Sequence, residues 1–146
     1  MTSPTRALLA GFTGASALTA VHQTARLVTA DAPRMDLLGM RALARLFRAA
    51  DATPPPHDPL YAATFVGDIA ANTLYYALAG AAPGREWSLG LGLGLAAGVG
   101  AVVLPPRLGL GSAPSARTPA TAAMTVAWYT IGGLAAAAAA RRLRRA

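Results

Sequence analysis

The stretch Trp87–Pro106 reads WSLGLGLGLAAGVGAVVLPP and carries no charged side chain. A bilayer hydrocarbon core about 30 Å thick is crossed by about 20 apolar residues of helix, at a rise of about 1.5 Å each. The stretch is that long, and its glycines decide between water and lipid. Gly90, Gly94 and Gly98 recur at every fourth position, and Gly92, Ala96 and Gly100 form a second such row. In a water-exposed helix interior each glycine costs about 1 kcal/mol relative to Ala, so a helix with this many would be hard to hold. In lipid the backbone must close its hydrogen bonds internally, and rows of small residues let a second helix come close enough for dispersion to hold the pair. The stretch therefore reads as a spanning helix whose glycines 90, 92, 94, 98 and 100 form packing rows of glycine-zipper type. Compositional drift in an Ala- and Gly-rich chain is the bland alternative. Gly11, Gly14 and Ala15, in the first apolar segment, are the expected matching surface.

Three further intervals share the pattern. No formal charge lies between Arg6 and Arg26, Asp68 is alone between Asp58 and Arg85, and none occurs from Thr118 to Ala140. The expected fold is an all-α integral membrane protein, a compact bundle of about four transmembrane helices in one domain over residues 1–146. The spans fall at 7–28, 58–79, 87–104 and 119–140, with a basic tail at 141–146. Pro105 and Pro106 are expected to stop the third, while Thr118 and Pro119 supply an N-cap and a first-turn proline for the fourth. The opening segment has features of a secretory signal peptide, but the chain begins at Met1 and the segment is expected to be retained.

Composition agrees. Hydrophobic residues make up 54% and formal charges 13% of the 146 residues, with a mean hydropathy of +0.41. So few charges, clustered rather than spread, would not cover a small soluble domain. The net charge of +7 would suggest nucleic acid in a soluble protein. Here the basic residues are all arginine, set mostly at the edges of apolar segments or on one amphipathic helix, so anionic headgroups are the nearer partner. The expected partners are the lipid bilayer and other membrane proteins or further copies of the chain, and not nucleic acid. With no cysteine there is no disulfide framework, thiolate metal site or thiol nucleophile.

Between the first two spans, residues 33–50 predict an amphipathic interfacial helix. Asp31 or Ala32 can cap it, and at 100° per residue Arg41, Arg45 and Arg48 share one narrow sector opposite Met35, Met40, Leu43, Leu46 and Phe47. Such a helix lies in the interface plane with its arginines on lipid headgroups. Asp36 is out of place among its apolar residues, although a carboxylate suits a helix first turn.

The second span carries Tyr61, Thr64, Asp68, Asn72 and Tyr75 at spacings of three and four, a polar stripe along one helix face. A central Asp costs about 2.5 to 3.5 kcal/mol on insertion, roughly what the apolar residues of this span return, so the helix needs a polar partner. Thr19, His22, Gln23, Arg26 and Thr29 on the first span are the candidate. In antiparallel register His22 lies at the depth of Thr64 and within about 6 Å along the axis of Asp68. The expectation is that Asp68 pairs with His22 or Arg26, with Thr64, Asn72 and Tyr75 completing the network. Such a network is either interhelical glue or a path or pocket for a proton, quinone or lipid.

No catalytic residue, metal site or cofactor is expected. A haem would want a second histidine at the depth of His22, and His57 stands in the proline loop beside Asp58 without a third metal ligand. The layout resembles that of small bacterial inner-membrane proteins, and the dense arginine cluster at 141–145 favours a cytoplasmic C-terminus. The leading functional expectation is an accessory or structural subunit. The alternative is a carrier or binding protein for a small polar or amphiphilic ligand.

Overall fold

A computed structural model describes residues 3–145, in which helices follow in the order α1 (Ser3–Val28), α2 (Met35–Ala49), α3 (His57–Ala77), α4 (Glu86–Arg107), α5 (Ala113–Ala116) and α6 (Pro119–Arg145). A single 3₁₀ turn, Leu78–Gly80, extends α3. Helix accounts for 83% of the described residues, and no strand occurs among them.

Local chemistry sets most of the ends. Thr118 Oγ1 accepts the Thr121 N–H at 3.0 Å and Pro119 fills the first turn, so α6 starts as its sequence predicts. Two expectations are corrected. α4 does not stop before Pro105 but takes both prolines into its last turn. Their missing N–H groups leave Ala101 O and Val102 O without the usual donors four residues on, while the chain beyond closes the helix end with Leu108 N–H to Leu104 O and Leu110 N–H to Pro105 O. α2 is capped by neither Asp31 nor Ala32; it begins at Met35, with Arg34 at the cap position. Asp31 is engaged elsewhere, 3.3 Å from the Arg117 guanidinium.

The four long helices form an open chain of neighbours rather than a closed ring. α1 packs on α3 and α6, and α6 packs on α4, whereas α3 and α4 scarcely touch. α2 lies across one end against α3 and α5. Glycine governs these approaches. A Cβ on Gly90, Gly94 or Gly98 would come within 2.4 to 2.7 Å of the α6 backbone. The first glycine row thus meets Gly133, Thr130 and Val126. The α1 glycines, expected to match it, face elsewhere: Gly11 meets Thr73 and Ala77, and Gly14 meets Gly132 and Ala136. The second row differs again. A Cβ on Gly92 would meet nothing within 4 Å, and one on Gly100 only the Leu104 side chain.

The distribution of side-chain size runs opposite to that of a water-soluble core. Buried positions on α1, α4 and α6 are mainly Gly, Ala and Thr, with Leu18, Glu86, Pro105 and Tyr129 as the exceptions. Leu8, Phe12, Val66, Leu74, Leu91, Leu95, Val99 and Ile131 are exposed. Two helices, α4 and α6, are long and apolar enough to cross a membrane, with mean hydropathy 1.8 and 1.4. Only 17% and 28% of those windows are buried, unlike the core helix of a soluble domain. The polar stripes of α1 and α3 are what set those two helices apart.

Candidate functional site

The polar stripes of α1 and α3 meet beside the start of α2. Gly39 lets α2 approach, since a Cβ there would stand 2.4 Å from Thr64 Cγ2. This contact buries Thr64 and closes a narrow cleft, about 40 Å³, lined by His22, Arg26, Asp36, Thr64 and Asp68 among others. Four of the six residues expected to share a network therefore line one space. Asn72 and Tyr75 do not.

The pairing within the cleft differs from expectation. Asp68 is bonded to neither His22 nor Arg26; its Oδ1 accepts from Asn72 Nδ2 at 3.0 Å, one turn along its own helix. Arg26 instead lies 3.4 Å from Asp36 Oδ2 and donates to Gln23 Oε1 at 3.2 Å. Arg34 grips the same Asp36 with two bonds, of 3.0 and 2.9 Å. The cause is α2: matching depths between two antiparallel helices takes no account of a third element that brings its own carboxylate to Arg26. The misplaced Asp36 is thereby explained as the tie of α2 to α1. Burial opposes its charge, but the Arg34 hydrogen bonds and the Arg26 and Arg34 charges outweigh it and hold the carboxyl below its ordinary range.

His22 Nε2 and Thr64 Oγ1 are buried in this region without a hydrogen-bond partner. The His22 ring stands edge-on to Tyr129, 5.9 Å between centroids. A space of about 40 Å³ admits a water, which two unpartnered polar atoms and a carboxylate would hold, but it lies far below the several hundred cubic ångströms of an organic ligand site.

Tyr75 is turned away, its hydroxyl donating to Leu93 O on α4 at 2.9 Å. Tyr76, which sequence reasoning passed over, is fully buried and donates to Tyr129 O at 2.7 Å. The α3–α4 gap bridged by Tyr75 is a groove of about 610 Å³. Ala71, Asn72 and Tyr75 form one wall, Ala96, Gly100 and Ala101 the other, and Tyr129 lines it between them.

The α2 arginines are partly committed. Arg41 Nη1 donates to Leu110 O at 2.9 Å and Arg45 Nη1 to Leu108 O, both in the loop after α4. With Arg48 they line a second cavity of about 610 Å³. At the opposite end of the bundle, Glu86, only 2% exposed, pairs with Arg144 at 2.8 Å. This tie was missed, although an acid opening one helix and a base closing its antiparallel neighbour is a readable signal. No group of three potential metal-ligating His, Asp or Glu side chains stands together among the described residues. Comparison of the chain with protein-family models, curated proteins and solved structures finds no match.

Proposed function

We propose that the chain is a four-span membrane protein of the bacterial inner membrane, an accessory subunit that receives a helix of another membrane protein in the α3–α4 groove. The observation that carries this reading is a pair of unfilled faces. The Ala96 and Gly100 part of the second small-residue row on α4 and the Asn72 region of α3 look into a groove that nothing in the chain occupies. Small residues on both walls suit a helix backbone at close range, and a hydrogen-bonding side chain on that helix would serve Asn72 where lipid could not.

The exposed apolar belt supports lipid as the surroundings. α4 and α6 are apolar enough to insert by themselves; α1 and α3, which share their tight glycine contacts, would be held as spans by the assembled bundle. Arg6, Arg85 and the four α6 arginines stand at one end against seven arginines at the other, so the orientation follows from density: the packed cluster at 141–145 favours a cytoplasmic C-terminus. The alternative of a ligand or proton carrier built on His22 and Asp68 has less support, because the cleft between them is only water-sized.

The test exploits the absence of native cysteine. Ala71→Cys or Ala96→Cys places a single thiol on the groove wall, and Val99→Cys places one on the lipid-facing side of α4. In native membranes a thiol-reactive photocrosslinker should give a discrete protein adduct from the groove positions and none from Val99→Cys. Adding Asn72→Ala should lower the yield while helix content by circular dichroism is retained. An adduct of twice 14.7 kDa identifies a second copy as the partner, and another mass a different protein. Adducts with lipid alone at all three positions overturn the reading.

A further inference from the structure

We infer that the cavity between α2, the start of α3 and the loop after α4 is a specific seat for one anionic phospholipid, its phosphate on Arg41, Arg45 and Arg48 and an acyl chain along Leu37, Met40 and Leu60. The inference rests on the membrane reading above, but not on the groove or its partner.

Charge separates this site from its surroundings. At the same end of the bundle Arg26, Arg34 and Arg117 each pair with a carboxylate, from Asp36 or Asp31. Arg41, Arg45 and Arg48 form no ion pair among the described residues, and no Asp or Glu lines their cavity. Three guanidinium groups on one helix sector without a carboxylate partner repel one another, and an anion among them would relieve that repulsion.

The site is also built. Arg41 and Arg45 are each held by a loop carbonyl, Leu110 O and Leu108 O, which spends one of five N–H donors and leaves the rest for a ligand. The loop is shaped around them by two glycines in the left-handed region. Gly109 has φ +69, and a Cβ there would stand 2.5 Å from Arg45 Nη1; Gly111 has φ +81, and a Cβ there would stand 3.1 Å from Arg41 Nη1. Side chains at either position would crowd the guanidinium groups. This fixed geometry distinguishes the site from a mobile basic patch, which would attract headgroups without selecting a pose.

The cavity floor names the class of ligand. Leu37, Met40, Ala44, Leu60 and Leu110 line it beneath the arginine rim. A free phosphate would leave that surface unused, whereas a phospholipid at the interface meets both parts. The volume of about 610 Å³ lies within the range of small-molecule sites. His57, also on the rim, is bonded to Asp58 at 2.8 Å and is not required by this pose.

The experiment is native mass spectrometry of the purified chain in a non-ionic detergent, titrated with phosphatidylglycerol or phosphatidylcholine of the same acyl chains. A single-lipid adduct with at least tenfold preference for phosphatidylglycerol is expected. Each of Arg41→Gln, Arg45→Gln and Arg48→Gln should reduce that preference about fivefold, the weight of one interfacial arginine. Glutamine at Arg141, Arg142 and Arg145 together should leave it unchanged. Leu60→Trp, which fills the floor and spares the arginines, should weaken both lipids, and millimolar inorganic phosphate should displace neither.

Equal adducts from the two lipids, or a preference that survives all three cavity substitutions, overturn the inference. So does displacement by inorganic phosphate with an unaffected Leu60→Trp variant, which would make the site one for free anions. Reconstitution into vesicles followed by alkaline extraction reports separately on membrane insertion, so a chain that binds phosphatidylglycerol yet washes off would refute the spanning bundle and not the pocket.

Discussion

The α4–α6 contact offers a sharp test because two glycines two residues apart sit in opposite surroundings. A Cβ on Gly94 would stand 2.5 Å from Thr130 Cα and 2.8 Å from Tyr129 O. Both are backbone atoms and cannot rotate aside. Ordinary contact begins near 3.4 Å, so Gly94→Ala requires the helices to part locally by about 0.9 Å, the difference between 3.4 and 2.5. Overpacking of this kind costs about 1 to 3 kcal/mol. Gly92→Ala, with nothing within 4 Å of its new methyl group, should be neutral or should gain a fraction of the roughly 1 kcal/mol helix-propensity difference. The two variants should therefore differ by about 2 kcal/mol, or about thirtyfold in the folding equilibrium. Reversible unfolding in mixed micelles of mild and denaturing detergent, followed by tryptophan fluorescence, measures the difference. Equal stabilities would mean that α4 does not pack on α6 through the Gly90, Gly94 and Gly98 row.

Three further outcomes are expected. Tyr76→Phe removes the buried bond to Tyr129 O and should lower stability by about 1 kcal/mol in the same assay, with helix content unchanged; no loss would place that hydroxyl in contact with solvent. The depressed Asp36 carboxyl stabilises the docking of α2 in full above the ordinary carboxylate range and loses that contribution as pH falls through its lower folded value. Amide exchange in α2 should accordingly rise below about pH 4, and Asp36→Asn should show fast exchange at every pH. Glu86→Gln and Arg144→Gln should each lower the thermal midpoint, and the double variant by less than the sum, because the two share one ion pair; strict additivity would show that the pair carries no coupling.

The helices and their rough ends were legible because their causes are local: long charge-free intervals, a threonine ahead of a proline, glycines at four-residue spacing. Periodicity alone also brought Thr64, Asp68, His22 and Arg26 to one place, since two antiparallel stripes at the same depth must meet if their helices are neighbours. Which side chain bonds to which was decided by an element outside that pair. α2 inserts Asp36 beside Arg26 and takes one of the two partners expected for Asp68, while His22, the other, keeps its Nε2 unpartnered.

Helix order was likewise decided only in three dimensions. A glycine row reports that something comes close without naming it, so the sequence could not tell that α4 would meet α6 rather than α1. Nor could it tell that one of two equivalent rows would be filled from within the chain and the Ala96 and Gly100 part of the other left facing a groove. Composition and spacing determined the number of long helices and the residues able to pack or pair. The choice among those pairings belongs to tertiary structure, because each depends on the joint position of three or more helices.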